Sequence, residues 1–184
     1  VYSTAGRQAS LRIAVQIPKN WSSDDDSLWP LIGWLAGKFA PDAIPLITGL
    51  ESTNPSIDDL KGLCAAFGTT SGAPMLHIAG QTPEASEQTS QELPEKQIQL
   101  DDLREAWFEL NKGLENIDLV AIGSPHASID ELRKIKSLFN GRRCHPHTRM
   151  KITTARHTIK LAESEGVLEQ LKQAGVELMP DLCW

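Results

Sequence analysis

The chain has 184 residues, 40% hydrophobic and 23% charged, with 18 basic and 24 acidic side chains and a formal charge of −6. That balance argues against nucleic-acid or anionic-membrane partners, which require clustered Lys and Arg. No apolar run reaches membrane-spanning length, and three dispersed cysteines read as free thiols in a reducing, cytoplasmic compartment. Residues Val1 to Arg7 lack both an initiating Met and a signal-peptide core, which suggests a piece of a longer protein.

Strands and helices alternate along the chain. Residues 11–17 (LRIAVQI) form a β-branched run ended by Pro18, hence a strand. A helix is predicted from Leu28 to Phe39, with Leu28, Leu31, Ile32, Leu35 and Phe39 on one face and Pro30 in the tolerant first turn. A short strand over 44–48 follows. Ser56 then caps a helix whose expected buried stripe is Ile57, Leu60, Leu63, Cys64 and Phe67. Residues 73–79 (APMLHIA) read as a buried strand.

From Gln81 to Lys96 the chain is polar and reads as a linker or long loop. A weak strand at 97–100 and a helix from Asp102 carrying Leu103, Ala106, Trp107, Leu110 and Leu114 come next. Residues 117–122 (IDLVAI) are the clearest strand, and Ser128 with Glu131 forms a capping box for a helix ended at Asn140-Gly141. A strand at 151–153, helices over 155–165 and 167–173, and a strand at 176–179 complete the pattern. Such alternation predicts an α/β fold of two small layered α/β/α units with largely parallel sheets. The expected division is 1–85, a polar linker at 86–96, and 97–184.

Open parallel sheets bind ligands where strands end and helices begin. Three segments fall there: Gly80 to Ala85 (GQTPEA), Gly123 to Ser128 (GSPHAS) and Pro180 to Trp184 (PDLCW). The second is physically the most informative. Gly123 permits a tight turn, and Ser124, His126 and Ser128 bring three polar side chains to a helix N-terminus, which suits a carboxylate or phosphate. The alternative is a well-capped turn with an incidental histidine. His77 lies within an apolar strand, as a hydrogen-bonded core residue or one facing Thr82 and Glu84. Cys144 and His147 are close enough to share a metal, but without a second ligand pair a surface turn is the preferred reading. Arg142, Arg143 and Arg149 are scattered basic residues.

Taken together and in order, the segments His77–Ala85, Gly123–Ser128 and Asp181-Leu182-Cys183 resemble the catalytic domain of the aconitase X family, whose pieces are a GxTPEA segment, a G-(S/C)-P-H-x-S loop and a D-x-C near a strand end. Leu31-Ile32-Gly33 and the stretch from Ile44 to Leu50 resemble it as well. The resemblance implies an aconitase-superfamily-like fold and a hydro-lyase that removes water from a small hydroxylated carboxylate with an iron–sulfur cluster, of the cis-3-hydroxy-L-proline or mevalonate 5-phosphate dehydratase type. It implies His126, Ser124, Ser128 and Glu84 as catalytic residues, Gly123, Thr82 and His77 as substrate-binding, and Cys183 as a cluster ligand. Relatives carry Ser or Cys at the position of Ser124.

On this reading the chain is the central part of a longer enzyme, inactive alone and without a cluster of its own, completed by a swivelling small domain or subunit. The rival is a carboxylate-binding or interaction domain that kept the fold and lost the cluster. A hydrolase using Ser124 lacks a recognisable base and orienting acid.

Overall fold

A computed structural model describes residues 3, 5–22, 25–88 and 92–182. The chain divides into two compact units, one ending at Lys112 and the other beginning at Gly113.

The first unit contains β1 (Leu11–Val15), α1 (Leu28–Phe39), β2 (Pro45–Thr48), α2 (Ile57–Thr70), β3 (His77–Ile78), β4 (Glu95–Ile98) and α3 (Leu100–Leu110). Its four strands pair in parallel in the order β3-β2-β1-β4. The core gathers Ile13, Trp29, Ile32, Ile47, Leu63, Ile78 and Ile98, each fully buried aliphatic side chain contributing roughly 1.5–3 kcal/mol relative to exposure. Helices α1 and α2 cross closely because Gly33 and Gly37 lack side chains. A Cβ on Gly33 would lie 2.1 Å from the Leu63 carbonyl oxygen, and one on Gly37 2.0 Å from Thr70 Oγ1. That hydroxyl donates to the Trp34 carbonyl at 2.8 Å, tying the two helices together.

Three expectations change here. The polar stretch is not a separator: β4 lies in it and pairs with β1, while buried Gln88 accepts the Ala9 N–H at 3.0 Å. Edge strands keep most side chains in water, so Glu95, Lys96 and Gln97 are exposed and only Ile98 is buried. The predicted stripe of α2 is too wide, since Leu63 and Phe67 are buried whereas Ile57 and Cys64 are exposed. On α3, Leu103 and Ala106 are buried but Trp107 and Leu110 are largely exposed, and Leu114 lies beyond the helix.

The second unit contains β5 (Leu119–Ala127), α4 (Ile129–Phe139), β6 (Arg149–Thr154), α5 (Arg156–Ser164), α6 (Val167–Gln173) and β7 (Val176–Pro180). Its sheet is also parallel, in the order β5-β6-β7. Leu132, Ile152, Ala162, Leu168, Leu171 and Val176 form its core. The capping box anticipated at Ser128 is present with Glu131 as its reciprocal partner, and the N-cap expected at Ser56 turns out to form a box as well, with Asp59. Asn140 ends α4 at φ 45°, a left-handed conformation that Asn tolerates. No described helix is long and apolar enough to cross a membrane.

Candidate functional site

The second unit's carboxyl edge is shaped by a bulge. Ile122 pairs with Ile152 and Ala127 with Thr154, so Gly123, Ser124, Pro125 and His126 stand opposite Thr153 alone. Extra residues in one strand push its backbone out of the ladder and re-aim side chains. The bulge requires glycine at its start: Gly123 has φ 116°, and a Cβ there would lie 2.3 Å from the Thr153 carbonyl oxygen. Buried Thr153 donates its hydroxyl to the Gly123 carbonyl at 2.6 Å, and buried Thr154 donates to Ala127 at 2.5 Å. The Ser124–Pro125 peptide bond is cis.

Beside this bulge the chain leaves β7 into Asp181, whose φ is 53°. The Asp181 N–H donates to the Thr154 carbonyl at 3.0 Å. Its carboxylate accepts the Arg156 N–H at 3.2 Å and pairs with Arg156 Nε at 2.5 Å. Asp181 therefore caps α5 from a neighbouring strand, where the N-cap residue Ala155 has no side-chain acceptor of its own. Opposite it, His126 Nε2 lies 2.9 Å from the Leu182 carbonyl. A carbonyl only accepts, so Nε2 carries the proton and a neutral His126 has its lone pair on Nδ1.

The edge thus brings Gly123, Ser124, His126, Ser128, Arg156, Asp181 and Leu182 together. Ser124 is exposed and His126 half-buried. Ser128 is engaged in the cap, its Oγ accepting the Glu131 N–H at 3.1 Å while its own N–H donates to Glu131 Oε2 at 2.7 Å. These contacts narrow the expectation of an open anion-receiving helix terminus, because one amide at the start of α4, that of Ser128, and one at the start of α5, that of Arg156, already donate to the chain's own carboxylates. Sequence reasoning missed Thr153, Thr154 and Arg156. Their signal, a Thr-Thr pair ending a strand before a helix, is too common to single out.

In the first unit the polar groups at the corresponding edge are turned inward. Thr82 Oγ1 accepts the Ile78 N–H at 2.9 Å and donates to the Ile78 carbonyl at 3.2 Å. Gln81 Nε2 donates to the Leu50 and Thr53 carbonyls. Glu84 forms a hydrogen-bonded ion pair with Arg7. His77, expected to bind substrate, is 1% exposed and its Nε2 sits 2.6 Å from the Arg7 carbonyl. Its ring is held inside the unit, which is the core reading of that residue.

For a metal, Cys64 is on α2 of the first unit, and Cys144 precedes β6 at the amino edge of the second. Although Cys64 is exposed, its neighbours partly desolvate the thiol and raise its pKa, which disfavours the thiolate a metal needs. The His145 and His147 rings lie 5.5 Å apart, tilted at 50°, but no group of three or more metal-ligating side chains exists among the described residues. The residues described do not fit an iron–sulfur cluster by themselves, and Cys183 lies outside them.

Family models of the aconitase X second and third domains match residues 9–108 and 117–184. The chain belongs to the aconitase X family. It is 41% identical to a cis-3-hydroxy-L-proline dehydratase of Hypocrea jecorina over 98% of its length and 31% of that protein's. A Pseudomonas aeruginosa protein of the same name is 39% identical over 97% of the chain and 31% of the relative. The phosphomevalonate dehydratase large subunit of Methanothermobacter thermautotrophicus is 30% identical over 96% of the chain and 42% of the relative. Holo-form aconitase X of Thermococcus kodakaraensis superposes with a TM-score of 0.86 at 25% identity, covering all of this chain and 46% of that one. The chain thus spans about a third of the first two relatives, and the two matched domains straddle the division at Lys112 and Gly113.

Proposed function

We propose that the chain supplies two domains of a hydro-lyase that removes water from a small hydroxylated carboxylate of the cis-3-hydroxy-L-proline class. Family membership supports the reaction type. The higher identity to the two hydroxyproline dehydratases, 41% and 39% against 30% for the Methanothermobacter phosphomevalonate enzyme, supports that substrate class. The single structural observation behind the site assignment is the bulge that projects Ser124 and His126 from the carboxyl edge of the second sheet.

In this reading His126 moves a proton between substrate and solvent, its ring oriented by the bond to the Leu182 carbonyl. Ser124 hydrogen-bonds substrate, and Gly123, whose missing Cβ leaves room for Thr153, forms the bulge that presents it. Ser128, with Glu131, holds the start of α4 in place, and Asp181 does the same for α5. Thr82 and Glu84 shape the first unit's edge, with Arg7 holding the Glu84 carboxylate. Elimination needs one group to take the carbon-bound proton and another to help hydroxide leave, and a histidine can serve at either point. Cys183 is assigned to the family's iron–sulfur cluster in the complete enzyme, together with ligands from outside this chain and a further domain or subunit. The free thiols of Cys64 and Cys144 suit the cytoplasm.

The test is to express the complete reading frame containing this chain, reconstitute it anaerobically with iron and sulfide, and assay cis-3-hydroxy-L-proline and mevalonate 5-phosphate side by side. The expected result is a brown protein that dehydrates the hydroxyproline at the higher kcat/KM. Preference for the phosphorylated substrate would overturn the substrate class. A colourless protein that binds hydroxyproline without turnover would instead establish a binding domain.

A further inference from the structure

The chain's arginines divide unevenly. Arg7, Arg12, Arg104, Arg133 and Arg156 each face a carboxylate. Arg142 donates to the Leu138 and Phe139 carbonyls at the end of α4, the ordinary use of a cation at a helix C-terminus. Among the described residues only Arg143 and Arg149, of the eight arginines, have no acceptor for their guanidinium groups. In a chain where acids outnumber bases, an unpaired arginine is the exception. These two line the same pocket, about 550 Å³ in volume.

That pocket lies at the amino edge of the second sheet, the end opposite His126. Arg149 is the first residue of β6 and Gly175 immediately precedes β7. His145 also lines it. His145 Nδ1 accepts the His147 N–H at 3.3 Å, so a neutral ring carries its proton on Nε2 as a donor. The acidic lining residue, Glu177, is neutralised by Lys151 at 3.2 Å. The Ala174 carbonyl at the end of α6 accepts the Cys144 N–H at 2.8 Å, which satisfies a local negative dipole. The pocket is therefore lined by two arginines without a protein acceptor among the described residues and by a histidine that donates from Nε2, while the negative groups named beside it are already engaged.

We propose that this pocket is a second binding site for a phosphate-bearing small molecule, distinct from the carboxyl-edge site. Planar guanidinium groups match phosphate oxygens bidentately, and the volume falls in the range of small-ligand sites. A nucleic-acid duplex would require a longer basic track than two arginines provide. The inference stands independently of the proposed reaction, because it uses neither its residues nor its edge.

Calorimetric titration of inorganic pyrophosphate into the protein from the complete reading frame, at fixed ionic strength, tests it. Saturable binding is expected, weakened at least about tenfold in the Arg143→Ala/Arg149→Ala variant and unchanged in His126→Ala. Should the double variant fail to fold by circular dichroism, the single variants Arg143→Gln and Arg149→Gln carry the same reading. Absence of saturable binding, or equal binding by the arginine variants, would overturn the proposal. Loss of binding in His126→Ala would move the ligand to the substrate edge and overturn it too. Tighter binding of a short RNA duplex through the same arginines would assign the pocket to nucleic acid.

Discussion

The two units use histidine in opposite ways at comparable places in the chain. His77 sits on β3, at the edge of the first sheet, yet is fully enclosed, with its ring nitrogen held by the Arg7 carbonyl. His126 sits in the bulge of the second, half-buried and oriented by the Leu182 carbonyl. Around His77 the other polar groups also find protein partners: Thr82 with Ile78, Gln81 with Leu50 and Thr53, Glu84 with Arg7. A polar residue next to a strand end is thus no guide to chemistry until its partners are known. One edge uses its polar groups to close a fold, and the other keeps a serine and a histidine at the surface.

The largest expected effect separates the two histidines. In the complete enzyme, His126→Ala should lower kcat/KM by about 10²–10⁴-fold, the usual contribution of a positioned acid or base, while thermal unfolding stays close to that of the parent. His77→Ala should do the reverse, destabilising by about 1–3 kcal/mol through loss of a buried hydrogen-bond partner, with turnover per folded molecule preserved. Paired kinetic and melting measurements on both variants decide the matter, and a purely thermal effect at His126 would remove the contrast.

A smaller effect is expected at the bulge itself. Gly123→Ala places a methyl group against the Thr153 backbone at a positive φ, and strain of this kind costs of order 1–3 kcal/mol. Denaturant unfolding should show a lower midpoint with an unchanged slope. Thr153→Ser, which keeps the hydroxyl bonded to the Gly123 carbonyl, should restore nothing in that background, since the clash includes backbone atoms.

The smallest effect concerns acid. Arg133 bonds to both Glu165 carboxylate oxygens, at 2.9 and 2.6 Å, and also to Asp130 at 2.6 Å, joining the start of α4 to the end of α5. The hydrogen bond from Arg133 lowers the Glu165 pKa below its ordinary value. A carboxyl depressed on folding adds stability that is present above its unfolded pKa and lost as pH falls through the folded one. Glu165→Gln should therefore flatten the acid limb of the unfolding profile slightly. Because the pair lies at the surface, added salt should erase the difference.

Local chemistry made much of this architecture legible in advance. Helices α1 and α6 begin and end where periodicity predicts, and the Ser56 and Ser128 boxes form because each needs only residues three apart. That Gly and Pro interrupt an apolar run marked Ser124 and His126 as a break in a strand, although they stand in a bulge inside β5 and not in a loop after it. Strand limits were less so: β5 continues through Ala127, because an irregular ladder with β6 pairs its far end.

What the amino-acid sequence determined by itself, then, was the alternating α/β pattern, the helix caps and the candidate loops, all of which depend on contacts within one or two turns. Tertiary structure alone decided the rest. It assigned polar β4 to the edge of the first sheet through backbone hydrogen bonds that hydropathy does not register. It enclosed His77, set Asp181 against Arg156 across 25 residues, and placed the segment carrying Arg143 and Arg149 against Ala174 and Gly175 to form one pocket. Each of these is a pairing between segments distant in the chain, whose energy depends on which partners the fold delivers and which it leaves to water.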